Sequence, residues 1–171
     1  MQDDLGTRVF MSGNMTSEMS LTLWSWLFPV TYIIHIGEEY WGGEGYPAYL
    51  LRLRGVHLSP TKFLIDQGIG LVLVVVGIIL ARRLRFPRFN LAMLGSLVLA
   101  NGITHATTAL IDRGYGPGLV SSILLWLPLG TFTLLRINRE MSNRRYMIAV
   151  ATGIVINGLV ALIALRGGRL V

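Results

Sequence analysis

The segment Thr61–Ala81 reads TKFLIDQGIGLVLVVVGIILA, and beyond Gln67 it contains only glycine and apolar side chains. It reaches the roughly 20 residues that a helix needs to cross the hydrocarbon core of a bilayer. Outward from it, four further stretches have comparable character: Met19–Trp41, Asn90–Ile111, Leu119–Leu135 and Tyr146–Leu165. The expectation is an all-α integral membrane protein, a bundle of five transmembrane helices forming one domain over residues 19–171. Between the first two spans, Tyr46, Tyr49, Arg52 and Arg54 surround the apolar Ala48-Tyr49-Leu50-Leu51. That pattern predicts a short interfacial helix between the first and second spans.

Composition agrees with lipid as the main solvent. Of 171 residues, 53% are hydrophobic and 14% charged, and the mean hydropathy is +0.59. The net charge of +6 comes from arginines gathered at span ends, not from a groove interleaved with exposed aromatics. Nucleic acid is therefore excluded as the expected partner, and the lipid bilayer takes its place. The absence of cysteine removes disulfides, thiolate metal sites and a cysteine nucleophile. Residues 1–18 form a polar N-terminal tail with Asp3, Asp4 and Glu18, and lack the basic-then-apolar pattern of a cleavable signal.

Orientation follows from the basic residues, which favour the cytoplasm. Arg82, Arg83, Arg85 and Arg88 join spans two and three, while Arg136, Arg139, Arg144 and Arg145 join spans four and five. With five spans both groups fall on one side. The reading is a multi-pass protein of the cell membrane, N-terminus cytoplasmic and C-terminus outside.

Against this apolar background stands His35-Ile36-Gly37-Glu38-Glu39, near the far end of the first span. Each ionisable group there costs about 2.5–3.5 kcal/mol on the insertion scale, so lipid-facing positions are a poor explanation. On a helix the three side chains share an arc of about 100°, and can converge on one object in the bundle interior. Span two brings Asp66 and Gln67 near its start. Span three brings Asn101, Thr104, His105, Thr108 and Asp112 in its second half, at helical spacing. All of these fall in the same leaflet.

Two imidazoles and three carboxylates within reach suit zinc, iron or manganese better than calcium or copper(I). In a hydrolytic reading His35, Glu39 and His105 hold a divalent metal, Glu38 or Asp66 takes a proton from water, and Asn101, Thr104 and Thr108 support the site. Metal-free exchange of a proton between His35 and Glu38 or Glu39 is equally open. So is a purely structural role, in which the polar groups staple helices together. For single residues the plainer readings are a Lys62 partner for Asp66, an Arg113 partner for Asp112, an interhelical hydrogen bond for Asn157 and no role for His57. Tyr115-Gly116-Pro117-Gly118 is a turn by composition, on the same side as the polar cluster, where it can roof the site.

His35-Ile-Gly-Glu38-Glu39, Asn101-x-x-x-His105 and Tyr115-Gly-Pro-Gly, in this order, resemble the HXXEE-domain family of small multi-spanning bacterial membrane proteins. The resemblance would extend from span one to span five. It implies a compact helical membrane domain with a polar site at His35, Glu38, Glu39, Asn101 and His105, and supplies no reaction. The leading expectation is an intramembrane enzyme, a hydrolase or isomerase, acting on a lipid or amphiphilic small molecule from one leaflet. The alternatives are a binding or transport protein for a metal ion, proton or lipophilic ligand, and a structural membrane module.

Overall fold

The computed structural model describes residues 3–166, with side chains from Leu21 onward, and it is helical throughout. The elements are α1 (Asp3–Trp41), α2 (Tyr46–Arg54), α3 (Pro60–Arg83) and α4 (Pro87–Asp112). A rod of three pieces follows: α5 (Leu119–Ser121), a π-helical turn (Ser122–Trp126) and α6 (Leu127–Asn138). The last element is α7 (Asn143–Arg166). The backbone of α1 runs helically through most of the segment set apart above as a polar tail.

Among the described residues, four helical stretches are long and apolar enough to cross a membrane: Pro60–Arg83, Pro87–Asp112, Leu119–Asn138 and Asn143–Arg166. The first of the five expected spans, Met19–Trp41, is the C-terminal part of α1 and is not among them. Its Trp, Tyr, Ser, His and Glu side chains dilute the hydropathy of the described part. The segment expected as a short interfacial helix contains the nine-residue α2.

Local signals place the boundaries. Proline stands within the first two positions of α2, α3 and α4, where its missing N–H has no intrahelical partner to lose. Ser59 caps α3, its hydroxyl accepting from the Lys62 N–H at 3.1 Å. Gly55 closes α2 in the left-handed region, φ 65°, and its N–H donates to the Leu51 carbonyl. The π turn ends two residues before Pro128, whose ring would clash with the i−4 carbonyl, that of Leu124 within the turn, in a regular α-helix.

α4 is the hub, touching α1, α3, α6, α7 and the π turn. Its close approach to α6 depends on Gly130, where any Cβ would press on the Gly95 carbonyl and Leu99. The main core joins Leu21 and Phe28 of α1, Ile78 of α3, Leu91, Leu94 and Val98 of α4, and Trp126 of the π turn. Thr133 of α6 accepts from Trp24 Nε1 at 2.7 Å, tying α1 to the rod. By contrast only 11% of the most apolar windows of α3 and α7 is buried, so these helices turn aliphatic surface outward, as a bilayer demands.

The two ends of the bundle differ chemically. Arg88 at the start of α4 donates from Nε to Glu140, just past α6, at 2.9 Å, which puts the arginine-rich connections at one end. At the other end Tyr49 of α2 donates to Asp112 at the end of α4 at 2.8 Å. Here the last turns of α1 meet the first turns of α3, the second half of α4 and the start of α5.

Candidate metal centre

Because His35 and Glu39 are one helical turn apart on α1, their side chains lie on one face of it. His35 is 1% exposed and Glu39 4%, so that face is interior. Glu39 Oε1 lies 3.6 Å from His35 Nε2 and 3.5 Å from Nε2 of His105 on α4. One ligand atom from each of the three residues lies within 4.8 Å of the other two. They form the one group of three such side chains among the described residues.

Each group is held from behind. Glu39 Oε2 accepts from Gln67 Nε2 of α3 at 2.8 Å, and Gln67 Oε1 accepts from the Tyr32 hydroxyl at 2.6 Å. The opposite oxygen, Oε1, is thereby left to face the imidazoles. The ring of His35 stacks on Trp126, centroids 3.6 Å apart, and meets His105 edge to face at 5.0 Å. His35 Nδ1 is 2.8 Å from Ser121 Oγ, and that Oγ is 3.3 Å from the Gly118 carbonyl. A carbonyl only accepts, so when the hydroxyl proton goes to Gly118 the Ser121 oxygen accepts from Nδ1–H. His35 Nε2 is buried with no hydrogen-bond partner, and in that tautomer it carries a bare lone pair.

In that tautomer two lone-pair-bearing atoms face each other across the gap between His35 and Glu39. A buried polar atom left this way costs free energy, and a cation between the ligands would remove the cost. The three side chains are close enough to hold a metal ion, and the Ser121 and Gln67 bonds are the kind of backing that orients metal ligands.

The Tyr115–Gly118 turn lies over the cluster. A Cβ on Gly118, which has φ 86°, would sit 2.8 Å from Cε1 of both His35 and His105 and 3.1 Å from Glu39 Cγ. Glycine is required there for backbone conformation and space together. The turn is pinned by Glu38. Its Oε1 accepts from the Tyr115 hydroxyl at 2.9 Å and the Val120 N–H at 2.8 Å, and its Oε2 accepts from the Ser121 N–H at 2.6 Å. Tyr115 is half-exposed beyond the spans; burial first, and its bond to Glu38 second, push its hydroxyl pKa up to about 12. Burial and the bond to Asp112 likewise push Tyr49 up to about 12.

A family model described as "Protein of unknown function with HXXEE motif" matches residues 26–133. The chain belongs to the HXXEE family. The name-giving motif is His35-Ile36-Gly37-Glu38-Glu39. The HXXEE match takes in Tyr32, Gln67, His105, Gly118, Ser121 and Trp126, so the whole cluster with its backing lies inside it. It ends at residue 133, short of α7, and so covers less of the chain than the resemblance through span five implied. No curated protein and no solved structure matches.

The expected site residues divide three ways. His35, Glu39 and His105 come together. Glu38 belongs to the roof, not to the cluster. Asp66 pairs with Lys62 one turn away on α3, Nζ to Oδ2 at 3.2 Å, at a half-exposed position. Of the supporting residues, Thr104 and Thr108 donate back to the carbonyls of Ala100 and Thr104 within α4, and Asn101 is half-buried one turn before His105. Ser121, Trp126 and Tyr32 were not anticipated. Pro128 was the available signal for the first two, since a proline inside an apolar span announces an irregular turn that re-aims the residues before it.

Proposed function

We propose that this HXXEE protein holds a divalent metal with His35, Glu39 and His105 and acts as a membrane hydrolase or isomerase on the polar end of a lipid or amphiphile. The observation that carries the reading is the buried His35 Nε2, without a hydrogen-bond partner and gathered with His105 Nε2 around Glu39 Oε1. Three protein ligands are the number used by catalytic zinc sites, which keep a further position for water or substrate. A metal bound here would polarise a carbonyl or phosphoryl oxygen, or acidify water. The chain itself supplies the dry wall of Trp126, the oriented carboxylate of Glu39 and the roof. His105, whose side chain is 13% exposed, is the most open of the three ligands and marks the side of approach.

The same reading makes residues 19–41 of α1 the fifth span, because only that placement gives the site-bearing turns of α1 the same depth as those of α4. The N-terminus is then cytoplasmic and the C-terminus outside, with the arginine-rich connections inside. The site lies in the outer leaflet.

One observation favours the alternative, a protein that binds or transports a metal ion, proton or lipophilic ligand. Glu38 and Asp66, the proton acceptors that hydrolysis would draw on, already have partners. The deciding experiment reconstitutes metal-loaded protein in vesicles of mixed glycerolipids and follows the lipids by mass spectrometry. Conversion by wild type, abolished in a folded His105→Ala variant, supports the enzyme. Stable metal with unchanged lipids supports binding.

A further inference from the structure

The two glutamates of the motif touch different things, and the difference assigns them different work. Glu39 turns one oxygen to the imidazoles, whereas both oxygens of Glu38 are engaged by the turn and the start of α5. One of its three donors is the N–H of Ser121, the residue whose hydroxyl meets His35 Nδ1. Starting from that bond, we infer that Glu38 is a positioning residue: it holds the backbone of Ser121 so that the Ser121 oxygen selects the Nδ1–H tautomer of His35 and bares Nε2 for the metal. This inference rests on the metal reading for its purpose, though not for its geometry.

The connection is short and has no slack. Ser121 is 5% exposed, and its hydroxyl is bracketed by the Gly118 carbonyl and His35. The space between Gly118 and the cluster is narrow, since a Cβ there would press on both imidazoles and Glu39. Tyr115, seated on Gly42 and Gly43, holds the outer end of the same turn to Glu38. A carboxylate can accept from all three donors at once, whereas the amide of glutamine must turn its NH₂ toward at least one of them. The charge and the double acceptance are therefore both needed to keep Ser121 in place.

The test reads the tautomer directly. Protein labelled with ¹⁵N-histidine, free of metal and in detergent, reports by NMR which ring nitrogen of His35 carries the proton, with the signals of the other two histidines assigned by His57→Gln and His105→Gln. Wild-type His35 is expected as Nδ1–H. Glu38→Gln is expected to shift it toward Nε2–H and to weaken cobalt(II), used as a spectroscopic probe, by about 10–100-fold, as loss of outer partners of metal ligands does. The absorption spectrum at saturation should not change. Should Glu38→Gln fail to fold, Ser121→Ala is expected to give the same tautomer shift and loss, and Ser121→Thr to restore both. Nδ1–H retained and cobalt affinity within twofold of wild type in folded Glu38→Gln and Ser121→Ala would overturn the inference. A tautomer shift in a protein that takes up no cobalt even as wild type would leave the positioning role standing and overturn the metal reading alone.

Discussion

The indole of Trp126 lies flat on the imidazole of His35, with ring centroids 3.6 Å apart and planes inclined by 28°. The first residue belongs to the π turn and the second to α1, so one contact joins two elements and fixes the plane in which His35 presents its nitrogens. Replacing Trp126 with alanine removes the stack and a fully buried side chain, at an expected cost of about 3–5 kcal/mol. Trp126→Phe should lose less and keep the cluster assembled. Unfolding in a denaturing-detergent titration measures both. Equal stabilities for the two variants would remove the special place given to the stack.

Gly118→Ala tests the roof. The added methyl would meet Cε1 of both imidazoles, in a left-handed backbone conformation that costs a side chain about 1–2 kcal/mol. The expected result is a helical protein by circular dichroism whose metal affinity falls at least tenfold. Undiminished affinity would mean that the turn does not lie against the ligands.

Tyr115 gives a pH dependence. Its hydroxyl is held protonated in the fold up to about pH 12, whereas in the unfolded chain it ionises near 10. Between those values the unfolded state binds fewer protons than the folded one, so stability falls as pH rises. The contribution is complete below pH 10 and gone above 12. Wild type should lose thermal stability more steeply than Tyr115→Phe across that window, and the two melting curves should run parallel from pH 7 to 9.

Asp66→Asn should be close to silent. The Lys62 pair is half-exposed and of the i,i+4 kind, worth about 0.3–0.5 kcal/mol. Metal content equal to wild type is the expected outcome. Loss of the metal would return Asp66 to the site.

The ligand cluster was legible because helical spacing alone puts His35 and Glu39 on one face, and because chain reversal between spans brings His105 to the same depth. The split between Glu38 and Glu39 was not legible. The two are about 100° apart on α1, and which neighbour each faces depends on α3 and α5, whose rotations about their own axes no local pattern in α1 encodes. Ser121 and Trp126 were hidden for a related reason. Extrapolating a regular α-helix through residues 122–126 rotates their side chains away from the positions that the π turn gives them. The extent of α1 was obscured by composition, since Met1–Ser20 is polar and includes Gly6 and Gly13, which disfavour a helix.

In the proposed function His35, Glu39 and His105 hold one metal ion. Elemental analysis of the protein purified in detergent without chelators, after equilibration with zinc, iron(II) and manganese in turn, tests it most directly. Close to one equivalent of one of these metals is expected in wild type, and loss of it in folded His35→Ala and His105→Ala variants. Wild type that retains no metal, or variants that retain as much as wild type, would contradict it.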